Sequence, residues 1–183
     1  MKRPDELDLL QSTVKAFARQ RRIAPYDTLM PLGFEVLETL ENWEYHCTPV
    51  NSVTFGATGG DGVHFNLLTT GGGQGAIVMT SPVGEIPNVV VGSSMAEFLR
   101  LGYYACFGWL GDLAYDLSSA ALGYHGNEQD LLEGGAELRD RLRDVFGLKP
   151  VEDVVKHLTV LQDRHLRDLI LTAPDVWNKQ HGV

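Results

Sequence analysis

The stretch from Thr48 to Leu68, TPVNSVTFGATGGDGVHFNLL, constrains this chain more than any other. Val53 and Phe55 alternate along an extended run, and Val63, Phe65 and Leu67 repeat the two-residue period after a break. The break is Gly59-Gly60-Asp61-Gly62, whose residues tolerate positive φ and so can fold a tight reversal. The whole stretch therefore reads as a β-hairpin.

The remaining elements fall around it. Pro4 to Arg22 predicts an amphipathic helix: Leu7, Leu10, Val14 and Phe17 recur at helical spacing, with acidic residues at the start and Arg19, Arg21 and Arg22 at the end. Pro25 ends it. In Leu29 to Trp43, the positions of Phe34, Leu37 and Leu40 predict one or two helical turns, with Glu35, Glu38 and Glu41 on the outward face. After the hairpin, Thr69 to Gly75 reads as a flexible connection, without the Lys or the spacing of a phosphate loop. Ile77 to Thr80 is a short strand, Pro82 to Pro87 a turn-rich link, and Val89 to Val91 a strand covered on both faces, hence expected near the middle of the sheet. Ser94-Met95-Ala96-Glu97 matches a capping box and opens the main core helix through Phe98, Leu101 and Ala105. Gly102, Gly108 and Gly111 either interrupt this helix or permit close packing.

From Asn127 the tail is helical in character. Leu131, Leu138, Leu142 and Val145 follow the helix period, Gly147 stops the element, and Pro150 is placed to start another that carries Val154, Val155, Leu158 and Leu161. The expected fold is α+β: a mostly antiparallel sheet of about four to six strands flanked by helices. A single domain is expected over 1–183, with its core in about 26–120, an N-terminal helix at 4–22 and a C-terminal helical extension at 127–170.

At 183 residues and 44% hydrophobic content the chain is long enough to bury a substantial core. Its start turns acidic where a secretory signal needs an apolar run, and no segment has the apolar length of a membrane helix, so a cytoplasmic location is expected. Cys47 and Cys106 stand alone, far apart in sequence, and signal neither a disulfide framework nor a zinc site. No metal or cofactor is expected. The net charge is −9, and its distribution is more telling: from Ile23 to Leu138 the only Lys or Arg is Arg100, against fourteen acidic residues. Nucleic-acid binding needs cations to neutralise phosphates and is disfavoured here. An anionic surface favours encounter with a basic partner instead.

Several of these residues form a recognisable set. Thr48, Pro49, Asn51, Ser52 and Phe55, then Thr58, Gly59, Gly60, Asp61 and Gly62, then His64 and Phe65, with Trp43 upstream, resemble the SUKH superfamily. That superfamily includes yeast cell-wall-assembly regulators and bacterial immunity proteins. Asn88 to Gly92 followed by Met95 to Gly102 is similar to that family's strand entering a helix, and the likeness extends from Pro31 to Asp116. The resemblance implies an α+β domain with a mostly antiparallel sheet, usually without catalytic residues, whose bacterial members often bind and neutralise a toxin. It assigns the quoted positions to structure. The helical sequence at both ends departs from it.

Two catalytic constellations can be drawn, Asp61 with His64 and His46 with Cys47. Strand alternation turns His64 away from Val63 and Phe65, and Asp61 is occupied by the turn, so neither pair is expected to act. The function expected is that of a non-enzymatic protein-binding domain, an immunity protein neutralising a basic toxin such as a nuclease. Its candidate contacts are Glu35, Glu38, Glu41, Glu85, Tyr103 and Trp109, with no nucleic acid or membrane as partner. Two alternatives stand beside it: a regulatory scaffold of the same fold, and a small-ligand binder or hydrolase using a cleft near the Gly-rich loop.

Overall fold

The computed structural model of the protein describes residues 5–69, 75–118, 124 and 135–172. Helix α1 (Asp5–Arg21) comes first, with Asp5, Glu6 and Asp8 in its first turn and Arg19 and Arg21 in its last. Five strands follow: β1 (Glu35–Glu41), β2 (Ser52–Ala57), β3 (His64–Leu68), β4 (Ile77–Thr80) and β5 (Asn88–Gly92). They form one antiparallel sheet in chain order. Helices α2 (Met95–Ala105), α3 (Gly135–Phe146) and α4 (Val154–His165) complete the fold, with short 3-10 turns at Met30–Leu32, Trp109–Ala114 and Leu166–Asp168.

The sheet's inner face carries a cluster of phenylalanines. Phe34 stacks on Phe107 at 4.6 Å, while Phe98 of α2 lies 4.8 Å from Phe65 and 5.6 Å from Phe55. Two glycines make room for these rings. A Cβ built on Gly56 would overlap the Phe34 ring, and one on Gly102 would overlap Phe107. Gly102 is thus a packing glycine within an unbroken helix, whereas Gly108 and Gly111 belong to the 3-10 turn that follows. A bulge between Thr54 and Gly56 shifts the β2–β3 register.

Three expectations are corrected. Residues 35–41 form an edge strand, not a helix: Glu35 pairs with Ala57 and Val36 with Gly56. Pairing with β2 satisfies backbone groups that a short, weakly amphipathic helix would leave to solvent, and it overrides the helical spacing of Phe34, Leu37 and Leu40. On a strand a three-residue step alternates sides, so Glu35, Glu38 and Glu41 no longer make one row. Second, β5 is the last strand of the sheet, not a middle one. Val89, Val90 and Val91 are buried because α2 and α4 both pack against them. Third, α4 begins at Val154 behind the N-cap Asp153, whose carboxylate accepts from the Lys156 amide at 2.9 Å; Pro150 lies upstream of it.

The α2 cap is more elaborate than a capping box. The Glu97 amide donates to Ser94 Oγ (3.2 Å), and the Glu97 carboxylate reaches back to the Ser93 amide (2.6 Å). Glu6 of α1 accepts from the Met95 and Ala96 amides at 3.0 and 3.4 Å. The Met95, Ala96 and Glu97 amides, the first three of the helix, are thereby all used. Among the described residues no helix is long and apolar enough to cross a membrane. The central residues of the Gly-rich connection, 70–74, and the start of the tail, 127–134, lie outside the described residues.

Candidate functional site

The tip of the β2–β3 hairpin is the most distinctive surface of the molecule. Gly59, Asp61 and Gly62 all have positive φ (79°, 50° and 68°), as the Gly-Gly-Asp-Gly sequence requires. The turn is closed by bonds from the Thr58 amide to the Val63 carbonyl (3.1 Å) and from the Val63 amide to the Gly60 carbonyl (3.0 Å). Open clefts flank the tip on both sides. One, of about 290 Å³, is lined by Glu35, Trp43, Ala57 and residues 59–63. The other, of about 230 Å³, is lined by Asp61, Val83, Asp112 and Tyr115 among others. Asp61 belongs to both.

A buried polar layer fastens the β1–β2 loop that packs beside this tip. On the outer face of the sheet, the Trp43 amide donates to Thr54 Oγ1 (3.3 Å), and Thr54 donates to Asn66 Oδ1 (2.8 Å). Asn66 Nδ2 donates to Thr80 Oγ1 (2.9 Å), Thr80 to Asn88 Oδ1 (2.8 Å), and Asn88 Nδ2 to the Cys47 carbonyl (2.9 Å). The chain of bonds crosses strands β2 to β5 and starts and ends on the β1–β2 loop, so the loop is fastened across the sheet. Because each member has a partner, burial of these polar side chains is satisfied.

His64 is the second fastening. It is fully buried, with Nδ1 2.7 Å from the Gly62 carbonyl and Nε2 3.0 Å from Thr48 Oγ1. A carbonyl only accepts, so Nδ1 carries the proton and Thr48 donates to Nε2. Burial pushes the imidazole below its ordinary value, with the Gly62 carbonyl opposing weakly. Trp43 and Tyr45 pack on the ring at 5.2 and 5.3 Å. Tyr45 also lies over Gly62, where a Cβ would meet its hydroxyl at 3.3 Å. Both imidazole nitrogens are used, and neither faces Asp61, whose side chain is exposed. Cys47 is buried, and burial raises its thiol pKa; Cys106 is half-buried and donates to the Leu32 carbonyl. Among the described residues no group of three His, Cys, Asp or Glu side chains is arranged to hold a metal ion.

The positions singled out in the sequence divide clearly. Trp43 walls one cleft, Thr48 holds His64, and the Pro49 carbonyl accepts from Asn42 (2.8 Å) and Ser52 (2.6 Å). Asn51 bridges to the segment after α4, donating to the Asp168 carbonyl and accepting from the Ile170 amide, each at 3.0 Å. Phe55 and Phe65 are core, and Thr58 to Gly62 form the tip. Of the expected partner contacts, Glu35 lies at the tip, with its carboxylate against Gly59. Glu38 borders a crevice beside α1 instead, while Glu41 and Glu85 are exposed elsewhere. Tyr103 is a correction: it is 7% exposed, packed on Tyr104 at 4.5 Å and under the Arg139 guanidinium. Trp109 is half-buried against the core. Tyr45, Asp112 and Tyr115 were not anticipated as a group. Asp112 and Tyr115 follow α2 in sequence, and only the packing of the 3-10 turn beneath the hairpin brings them to the tip.

The result is a surface with carboxylates from Glu35, Asp61 and Asp112 and rings from Trp43, Tyr45 and Tyr115. No Lys or Arg occurs in the sequence between Arg22 and Arg100. Such a surface suits a guanidinium or ammonium group, which a carboxylate binds by charge-assisted hydrogen bonds and a ring face by its quadrupole. Comparison with protein-family models, with curated proteins and with solved structures gave no match.

Proposed function

We propose that the protein is a non-enzymatic binding domain whose hairpin tip engages a basic protein. The supporting observation is the convergence of Glu35, Asp61 and Asp112 with Trp43 and Tyr115 around two clefts that share Asp61. Exposed Tyr45 and Tyr115 (38% and 53%) supply contact area at low entropic cost, and the carboxylates supply steering and register. The resemblance to SUKH proteins makes a basic toxin, such as a nuclease, the proposed partner, with neutralisation by occlusion as the role. The turn bonds within the tip and the bond from buried His64 to the Gly62 carbonyl favour this reading, because a surface already ordered loses little freedom on binding.

The test compares the wild-type chain with an Asp61→Asn/Asp112→Asn/Glu35→Gln variant, both used to capture proteins from the source lysate. A basic protein retained by the wild type, released by about 0.5 M salt, where screening shortens to roughly 4 Å, and lost by the variant is the expected result. Equal retention by the variant, or retention indifferent to salt, overturns the proposal.

A further inference from the structure

A larger cavity, of about 380 Å³, lies away from the hairpin between α2 and the α3–α4 connection. Its lining includes Ala96, Glu97, Arg100, Phe146, Leu148 and Lys149. In a chain of net charge −9, it holds the one cation of the central sequence beside a second from the tail. Their surroundings leave both under-used. Glu97 accepts from the Ser93 amide through Oε2, and its Oε1 is 3.3 Å from His157 Nε2 but 3.8 Å from Arg100. Arg100 Nε is buried and has no hydrogen-bond partner among the described residues, and Lys149 makes no ion pair there. The Arg100 side chain as a whole is 30% exposed and lines the cavity, and its Nη2 is no closer than 3.8 Å to Glu97, so an anion in the cavity can take the terminal guanidinium donors. The nearby end of α2 does not compete for such an anion, since Glu6 and Ser94 already use its first amides. Beside the cations, Ala96, Phe146 and Leu148 add apolar lining, and the volume lies within the range of small-molecule sites.

We propose that this cavity binds a small organic anion, with its carboxylate or phosphate held by Arg100 and Lys149 and its apolar part against Phe146 and Leu148. This site is independent of the hairpin tip. The full-length chain is titrated with phenyl phosphate, benzoate and inorganic phosphate, following the Arg100 Nε–H and the Gly147 and Lys149 amides by NMR. Saturable shifts of these signals with phenyl phosphate or benzoate are expected. Arg100→Gln and Lys149→Gln should each weaken binding about tenfold, as loss of a charge-assisted hydrogen bond implies. Lys149 is exposed, so its variant remains informative if Arg100→Gln does not fold. Absence of saturable shifts with all three probes, or unchanged affinity in Lys149→Gln, overturns the proposal. Inorganic phosphate binding as tightly as phenyl phosphate overturns the part assigned to the apolar lining.

Discussion

His64 shows how one buried residue links turn, sheet and loop. Its Nδ1–H is committed to Gly62 and its Nε2 to Thr48, so protonation would turn Nε2 into a donor inside a fully buried site. The folded protein therefore holds the ring neutral, with its pKa below the ordinary value of about 6.5. The unfolded chain takes up a proton near that ordinary value while the folded chain does not. Stability from this group is thus fully present above about pH 7.5 and declines as pH falls below about 6.5, by at most roughly 1.4 kcal/mol per pH unit. His157 is displaced the same way, first by burial, with Glu97 opposing. Urea titrations between pH 7.5 and 5 should show wild-type stability falling with pH and His64→Gln falling less steeply. Parallel curves would mean that His64 is not neutral in the fold.

Among elements, the terminal helices do more than cover the sheet: each closes one of its edges with a glutamine. At the β5 edge the Gln162 carboxamide of α4 pairs with Val90 as a strand would, accepting from its amide and donating to its carbonyl, both at 2.8 Å. At the β1 edge Gln11 of α1 donates to the Leu37 carbonyl, also at 2.8 Å. Open edges invite pairing with other chains, and these caps remove acceptors and donors that would template it. Gln162→Leu keeps most of the packing and leaves both Val90 groups unpaired, so a loss of about 1–3 kcal/mol per group is expected in chemical denaturation. Sedimentation should also show concentration-dependent self-association of this variant. A wild-type midpoint with no self-association would show that the edge needs no cap.

Over the whole molecule, one cluster of buried side chains runs from Leu7 in α1 through the sheet and α2 to Leu161 in α4. Long-range bonds reinforce it, from Glu6 to α2, from Gln162 to β5 and from Asn51 to residues 168 and 170. No element keeps its apolar face buried when the others leave, so unfolding should be a single cooperative transition. Coincident urea curves from far-ultraviolet circular dichroism and tryptophan fluorescence are expected, and an early transition in either would assign the terminal helices separate stability. Charge is organised at the same scale. The anionic middle of the sequence contributes the tip carboxylates, whereas Arg139, Arg141, Arg143, Lys149 and Lys156 lie in the tail helices and their connection.

Sequence alone determined the elements whose signals are local. The hairpin was legible because Gly59, Asp61 and Gly62 supply the positive φ that its turn requires, and α1 and α2 because helical spacing and end residues agree along a single segment. The antiparallel α+β class and the acidic centre followed from the same kind of reading. Residues 35–41 were misread because a strand's stability lies in its partner, and β5 because helices packed against a strand bury it as fully at the edge of a sheet as in its middle. The polar layer had a faint signal in the alternation of His64 with Asn66 among apolar neighbours, but its bonds to Thr54, Thr80 and Asn88 cross strands. The gathering of Glu35, Asp61 and Asp112 around one tip, and of Arg100 with Lys149 around one cavity, was decided only by the tertiary structure. Local conformation depends on neighbours in the chain, whereas a site depends on distances between residues that the chain itself keeps far apart.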